Sequence, residues 1–256
     1  MKNLFDLSGK VAVVIGGNST LGSVMAKGLS EYGAKLAIVG RNLEKAKAVA
    51  KEIEEEGGTS KAFEADVSKL DTIQQAADEI EEWSGGWDIL INAPGKNSNT
   101  PFFELEPEEW DDMMDVNLRG VVFSIQHFAK RMIDQGRNGS IINISSASAD
   151  IPLSKVFTYS ASKAGINNIT QYLAREFAPY GIRVNGIIPG FFPAEQNRKI
   201  MDDERIESIM NHTPMKRFGE PEELKGATVF LASEGASSFV TGSFIRVDGG
   251  YLSMTI

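Results

Sequence analysis

The feature that most constrains the fold of this 256-residue chain is an alternation of short β-branched apolar runs with helical segments. Residues 10–15 form the first run, which passes through a glycine-rich turn into a helical pattern, and residues 34–39 repeat the arrangement. These connections are too long for hairpins, so consecutive strands should lie parallel with helices covering the sheet. Further runs occupy 60–65, 88–92, 140–144, 182–188 and 243–247. The pattern predicts one α/β domain over residues 1–256 with a doubly wound parallel sheet of the Rossmann type.

Composition excludes several classes of site and partner. The chain has no Cys and two His, so we expect no disulfide, no thiolate nucleophile and no metal site. The formal net charge of −9 argues against nucleic acid as a partner. The sequence shows neither eighteen consecutive apolar residues nor a charged and apolar leader, so we expect a cytoplasmic protein with no membrane partner.

A glycine-rich turn follows the first predicted strand and opens a helix. In this arrangement, backbone N–H groups and the helix dipole can receive the pyrophosphate of a dinucleotide. Glycine also serves simple tight turns, so the turn alone is a weak signal, strengthened by the strand before it and the helix after it. The candidate cofactor-binding residues in the turn are Gly16, Asn18, Ser19, Thr20, Leu21 and Gly22.

The end of the second predicted strand bears on cofactor choice. About twenty residues past the turn, an acidic side chain would bind the ribose 2′-hydroxyl of NAD. Gly40 occupies that place, with Arg41 beside it. A guanidinium can bind a 2′-phosphate bidentately and stack on adenine. We therefore predict a preference for NADPH, with NADH possible; the alternative is that Arg41 simply begins the next helix.

A serine, a tyrosine and a lysine form the candidate catalytic set. Ser146 ends the apolar run 140–144, and Tyr159 and Lys163 stand four residues apart in a segment of helical periodicity. A cation about 4 Å from a phenol favours the phenolate by roughly 4 kcal/mol at a dielectric of 20, about three pK units. Lys163 is thus expected to lower the pKa of Tyr159, which would exchange a proton with a carbonyl or hydroxyl. The alternative is an amphipathic helix with a polar amino terminus.

Other polar residues lie at or near the carboxyl edge of the predicted sheet. Asp66, Asn92 and Gly95 follow predicted strands, and ligands of such sheets bind at the carboxyl ends of strands. Asn117 interrupts an apolar helical stretch, which is also explained by an ordinary helix bend. Residues 191–218 are irregular and predict a lid.

Together these residues resemble the short-chain dehydrogenase/reductase family over essentially the whole chain. The resemblance rests on the glycine turn, Asp66-Val67, Asn117, Ser146, Tyr159-Ser-Ala-Ser-Lys163, Pro189-Gly190 and Val247-Asp248-Gly249-Gly250. It implies a seven-stranded sheet of order 3-2-1-4-5-6-7 and a homotetramer.

The resemblance also implies a role for each matching residue. Tyr159 would be the proton donor or acceptor, Lys163 would lower its pKa and bind the nicotinamide ribose, Ser146 would orient the substrate oxygen, and Asn117 would hold a water. The implied cofactor residues are those of the turn with Arg41, Asp66, Val67, Asn92, Gly95, Tyr159, Lys163, Pro189 and Gly190.

Three segments depart from the family pattern. In the turn, Ile15 replaces a threonine and Thr20 replaces the middle glycine. After the fourth strand, Asn92-Ala93-Pro94-Gly95 stands for Asn-Asn-Ala-Gly and lacks one amide, and Ala194 stands where a threonine often meets the carboxamide. We expect altered cofactor affinity rather than lost chemistry, because none of them belongs to the catalytic set.

Residues 189–198 are similar to the lid of the family's sugar-acid reductases. That similarity implies reduction of a C6 keto sugar acid, D-fructuronate or 4-deoxy-L-erythro-5-hexoseulose uronate, with gluconate 5-dehydrogenase and 3-oxoacyl or general carbonyl reductase as alternatives. A nucleotide sensor without catalysis is disfavoured by the complete proton-transfer set. The candidate substrate-binding residues are Lys96, Ser148, Gln196 and Arg198, with Arg198 as the carboxylate anchor.

Overall fold

The computed structural model describes residues 3–192 and 203–254 of the chain. Its strands are β1 (Val11–Ile15), β2 (Lys35–Gly40), β3 (Thr59–Glu64), β4 (Ile89–Asn92), β5 (Gly139–Ile144), β6 (Ile182–Pro189) and β7 (Phe244–Val247). All neighbouring strands pair in parallel, in the order β3-β2-β1-β4-β5-β6-β7. The expected fold class and strand order are confirmed.

Helices cover both faces of this sheet. They are α1 (Thr20–Glu31), α2 (Leu43–Glu55), α3 (Leu70–Ser84), α4 (Pro107–Met114), α5 (Gly120–Asp134), α6 (Phe157–Phe177), α7 (Asp203–His212), α8 (Leu224–Ala232) and α9 (Glu234–Ser237). One apolar core lies between the sheet and α3, α5 and α6, and a second lies against α1, α2 and α8. Strands buried on both faces explain the continuous apolar runs of the sequence.

A π-helical turn, Asp115–Arg119, separates α4 from α5 within what the sequence predicts as one long helix. Asn117 lies in this turn and is fully buried. Single π turns inside helices often occur at functional sites. The alternative explanation for Asn117 was an ordinary helix bend. The structure shows a change from α-helix to π-helix at this residue.

Parallel strands bring the predicted strand-end segments that the structure describes to one edge of the sheet. Ile15 pairs with Asn92 across β1 and β4, and Asn92 pairs with Asn143 of β5. A wider cleft of about 940 Å³ lies at the opposite, amino-terminal edge and is lined by Lys10 and Asp88 among others. None of the predicted site residues lines that cleft, so the carboxyl edge is the candidate active site.

Candidate active site

The glycine turn after β1 packs through backbone atoms. Gly16 has φ +76°, and a Cβ there would lie 2.6 Å from the carbonyl oxygen of Ala93. A Cβ on Gly22 would lie 2.2 Å from the Gly16 oxygen. Ser19 caps α1, since its hydroxyl donates to the Gly16 oxygen (2.7 Å) and accepts from the Gly22 N–H (3.1 Å).

The capped helix start leaves two backbone donors directly after Ser19. Thr20 and Leu21 begin α1, so their N–H groups have no partner within the helix. Such groups at a helix amino terminus suit a pyrophosphate. The Ser19 hydroxyl, in contrast, bonds within the turn, so its predicted contact with a cofactor would use other atoms.

A cleft of about 780 Å³ runs from this turn across the ends of β2, β3 and β4. Burial disfavours the charged form of Asp66, but hydrogen bonds from Ser68 and the charges of Arg41 and Lys69 together lower its pKa below the usual value. An ionised carboxylate with one oxygen bonded to Ser68 can accept a further donor. The predicted cofactor residues that line the cleft are Gly16, Asn18, Ser19, Arg41, Asp66, Val67 and Gly95.

The position that carries an acid in NAD-binding sheets is filled by another side chain. A Cβ on Gly40 would lie 2.4 Å from Oδ1 and 2.8 Å from Nδ2 of Asn18. The Asn18 amide also donates to the Asn42 carbonyl at 3.4 Å. Asn18 therefore occupies the space from which an acidic side chain would start, and Arg41 lines the same cleft.

Ser146, Tyr159 and Lys163 come together beside the ends of β5 and β6. The Tyr159 hydroxyl is hydrogen-bonded to Ser146, and the Lys163 ammonium lies 5.6 Å from the centre of the Tyr159 ring. Lys163 is buried and donates to the Ile144 carbonyl at 2.8 Å. The four-residue spacing on α6 therefore places Tyr159 and Lys163 side by side, and the end of β5 brings Ser146 to them.

The expected effect of Lys163 on Tyr159 is wrong for this structure. Burial raises the pKa of the Tyr159 phenol, and the hydrogen bond with Ser146 only partly offsets that rise. Burial also lowers the pKa of Lys163 to about 8. The physical reason is that both groups are desolvated together, which disfavours phenolate and ammonium alike. The phenol is consequently protonated at neutral pH.

Asn117 holds a loop next to the site. Its amide accepts from the Lys96 N–H at 2.8 Å and donates to the Lys96 carbonyl at 2.8 Å, fixing the backbone after β4. It also lies 3.3 Å from the hydroxyl of Ser162, which donates to the Tyr159 carbonyl. The side chain therefore links the cofactor cleft to the Tyr159 helix, and its amide is occupied by protein groups rather than exposed to a water.

The predicted substrate residues are placed unevenly. Ser148 is buried and donates to the Ser146 hydroxyl at 3.0 Å, so it supports Ser146 from behind. Lys96 lines the cofactor cleft, and its ammonium pairs with Asp112. That ion pair, between two half-exposed side chains, weakens Lys96 as an anchor for a substrate carboxylate.

Part of the predicted lid lies outside the described residues. Gln196 and Arg198, together with Ala194, belong to that part. Within the described part, Phe192 is buried, and α7 is held to the loop before α6 because Arg205 donates to the Ser154 carbonyl at 3.1 Å.

Sequence reasoning named Asn92 as a cofactor-binding residue but missed the buried side chains that are bonded to it. Asn92 donates to Asn143 at 2.9 Å, and Asn143 donates to Thr170 of α6 at 2.9 Å. The Asn92 oxygen is a buried acceptor with no hydrogen-bond partner among the described residues. An asparagine inside the apolar run 140–144 was the available signal for this network.

The arrangement fits a nicotinamide dinucleotide. Gly16 and Gly22 sit where a Cβ would clash, the start of α1 offers N–H groups, and the cleft extends to Lys96, whose backbone is bonded to Asn117. A buried phenol hydrogen-bonded to a serine can deliver a proton to a carbonyl oxygen. Among the described residues, no cluster of acidic or histidine side chains is placed to hold a metal ion, and no helix is long and apolar enough to span a membrane.

Comparison with known proteins gives matches over nearly the full chain. A family model described as enoyl-(acyl carrier protein) reductase matches residues 16–252. A gluconate 5-dehydrogenase of Gluconobacter oxydans is 37% identical over 249 residues, covering 97% of this chain and 96% of that protein.

Two solved structures are similar at the level of the whole fold. A gluconate 5-dehydrogenase from Burkholderia cenocepacia, in complex with NADP and tartrate, is 37% identical with a TM-score of 0.94, covering 98% of each chain. A Haemophilus influenza protein described as a D-mannonate oxidoreductase, with bound NAD, is 38% identical with a TM-score of 0.92, covering 98% of this chain and 97% of that one.

Proposed function

The chain belongs to the short-chain dehydrogenase/reductase family and is an NAD(P)-dependent oxidoreductase, and we propose that it reduces the ketone of a C6 keto sugar acid with NADPH. The observation that carries the chemistry is that three side chains lie together: the partly buried Tyr159 hydroxyl is hydrogen-bonded to Ser146, and the Lys163 ammonium lies 5.6 Å from the centre of the Tyr159 ring. A phenol holds its proton at neutral pH, so Tyr159 can act as the proton donor of a reduction.

In the proposed mechanism, Ser146 and Tyr159 bind the substrate carbonyl oxygen. The hydride for the carbonyl carbon would come from a nicotinamide bound in the cleft. Tyr159 donates its proton to the oxygen as negative charge develops there, and the Ser146 hydroxyl stabilises the same charge. Lys163 shares the buried site and, held by the Ile144 carbonyl, is placed to stabilise the phenolate that Tyr159 becomes.

The cofactor would be held by residues of the carboxyl edge. Thr20 and Leu21 would receive the pyrophosphate, and Asp66 would accept from the adenine amino group. Tyr159 and Lys163 would face the nicotinamide ribose, with Asn92, Pro189 and Gly190 as the supporting backbone.

The proposed preference for NADPH rests on the end of β2. Arg41 lines the cleft, and Asn18 fills the space beside Gly40 that an acidic residue would need. A 2′-phosphate beside Arg41 would meet a positive charge, whereas a ribose hydroxyl of NADH would find no carboxylate at Gly40. NADH remains a weaker alternative cofactor.

The substrate class is supported by the named relatives. Gluconate 5-dehydrogenases and a protein described as a D-mannonate oxidoreductase act, by their names, on C6 sugar acids or their keto forms. We propose D-fructuronate or 4-deoxy-L-erythro-5-hexoseulose uronate as substrate, with 5-ketogluconate as the closest alternative. Arg198, with Gln196, is proposed to bind the carboxylate, since Lys96 is paired with Asp112.

A homotetramer in the cytoplasm and a lid over residues 191–218 stay predictions of the same proposal.

One surface favours a second candidate, a general carbonyl reductase of apolar ketones. An apolar groove of about 400 Å³ lies at the start of α6, where the exposed Phe102 ring packs edge-on to Phe157 at 5.2 Å.

The test is oxidation of NADPH and NADH by the purified protein with D-fructuronate, the deoxy uronate, 5-ketogluconate and acetoacetyl esters. We expect one keto sugar acid to give the highest kcat/KM, with NADPH preferred at least about tenfold, since one charged hydrogen bond is worth about 1.5–3 kcal/mol. Turnover of the esters alone would replace the sugar-acid proposal by the second candidate, and a preference for NADH would overturn the assignment of Arg41.

A further inference from the structure

A chain of polar side chains links four elements around Ser146. The Ser145 hydroxyl donates to the Asn167 amide oxygen at 2.5 Å, and the Asn167 amide donates to Asp150 at 3.2 Å. The other oxygen of Asp150 accepts from Arg246 at 2.9 Å. None of these four side chains belongs to the catalytic set.

The chain joins the two parts of the structure that carry that set. Ser145 ends β5 directly before Ser146, and Asp150 closes the short turn after Ser146, because its N–H donates to the Ala147 carbonyl. Asn167 lies on α6 one turn beyond Lys163, on the same helix face. The chain therefore brackets Ser146 on both sides and ties it to the helix that presents Tyr159.

The chain runs from the interior to the surface. Ser145 is buried, Asn167 is half-buried, and the side chains of Asp150 and Arg246 are 25% and 50% exposed. Solvent weakens the outer ion pair, so its contribution is small. The bond of Asn167 with Ser145 lies further in, where loss of one partner leaves a polar group unsatisfied. Asn167 is thus the member on which the geometry depends most.

We propose that Asn167, held by Asp150 and Arg246, is a positioning residue that sets the distance between Ser146 and Tyr159 during carbonyl reduction. The inference rests on the proposed function for its reaction. Ser146 lowers the pKa of Tyr159 through their hydrogen bond, so a turn that drifts from α6 weakens both proton transfer and that effect on the pKa. The cofactor cleft around β1 and β2 shares none of these residues.

The first test compares Asn167→Leu with Asn168→Leu. Asn168 is the next residue on α6 and is exposed, so its replacement controls for a change of side chain on the same helix. We expect Asn167→Leu to lower kcat about tenfold or more, as small misplacements of reacting groups do, with KM for NADPH unchanged. We expect Asn168→Leu to match the wild type.

The second test measures the pKa of Tyr159 without any substrate. Tyrosinate formation is followed by ultraviolet absorbance as pH rises, first in each variant and then in that variant with Tyr159→Phe added. Subtracting the second titration curve from the first gives the titration of Tyr159 alone. Asn167→Leu should shift this titration to higher pH. This titration uses no substrate, so its result does not depend on which ketone the protein reduces. Failure of the proposed function and failure of this inference can therefore be told apart.

A rescue experiment covers the case in which Asn167→Leu does not fold. Asn167→Asp keeps an acceptor for Ser145 but sets one carboxylate against Asp150, and Asp150→Asn in the same chain restores a donor between them. We expect the double variant to recover kcat and the Tyr159 titration relative to Asn167→Asp alone. If the single variants change the melting temperature but leave kcat and the titration at wild-type values, the chain is structural only and the inference is overturned.

Discussion

At the end of β1 the cofactor cleft depends on where backbone atoms lie, whereas at the end of β5 the catalytic residues depend on hydrogen bonds between side chains. In the first region, Gly16 and Gly22 permit close approach of backbone segments, and the first N–H groups of α1 have no partner within the helix. In the second, Ser146 is held through Ser148, and α6 is held through Asn143 and Asn167. Substitutions in the first region should therefore change cofactor binding and selectivity, and those in the second should change kcat and its pH dependence.

The largest effect that separates the two regions is expected for Tyr159→Phe. Removal of the proton donor should lower kcat for carbonyl reduction by about 10²–10⁴-fold, the usual contribution of general acid catalysis. NADPH affinity, measured by fluorescence titration, should fall far less than kcat, because Tyr159 is one of many groups proposed to hold the cofactor. A variant that keeps more than a tenth of the wild-type kcat would mean that another group supplies the proton.

The next effect concerns the pH dependence of stability through Lys163. Burial lowers the pKa of Lys163 from 10.5 to about 8, so between these pH values the unfolded chain binds a proton that the folded chain does not. The free energy of unfolding should gain up to about 3 kcal/mol from this group as pH rises through that window. In Lys163→Met this rise should be absent in urea unfolding between pH 8 and 9.5.

Measuring no higher than pH 9.5 keeps the titration of Tyr159 out of the measurement. Its pKa is raised above 10, so its contribution to stability is lost as pH rises beyond the unfolded value, which is the opposite sign. An equal rise of unfolding free energy in Lys163→Met and wild type would show that Lys163 is not the group that titrates.

A smaller effect, on cofactor selectivity, is expected at Gly40. Gly40→Asp alone should weaken both cofactors, because its Cβ would lie 2.4 Å from the Asn18 amide oxygen. With Asn18→Gly in the same chain, the carboxylate gains room and should shift the ratio of kcat/KM toward NADH by about 10–100-fold, equivalent to one charged hydrogen bond. Gly40→Ala is the matched control for the Cβ alone. If Gly40→Asp by itself gave full NADH activity, Asn18 would not be the obstacle.

The difference between the regions also explains what sequence reasoning could reach. The parallel doubly wound sheet, the turn at 16–22 and the spacing of Tyr159 and Lys163 follow from local periodicity and chain connectivity, whereas the order of the strands was implied by the family resemblance. The structure has all of them where expected. The sequence also shows directly that Gly40 stands where an NAD-binding sheet would carry an acidic residue.

The side-chain contacts that hold the catalytic region could not be read in the same way. The bonds of Asn117 to Lys96, and of Asn167 to Ser145, join residues more than twenty positions apart, so no local pattern predicts them. The sign of the pKa change at Tyr159 was wrong because a spacing gives the nearby charge but not the burial. Desolvation is a property of the packed fold.

The measurement that tests this division most directly is the ratio of kcat/KM for NADPH to that for NADH, determined together with kcat in Arg41→Leu and Ser146→Ala. We expect Arg41→Leu to lower the ratio at least about tenfold while kcat at saturating cofactor stays near the wild-type value. We expect Ser146→Ala to lower kcat about 100-fold or more while the ratio is unchanged. If Ser146→Ala altered the ratio as much as Arg41→Leu does, the two regions would not act separately and the account would be contradicted.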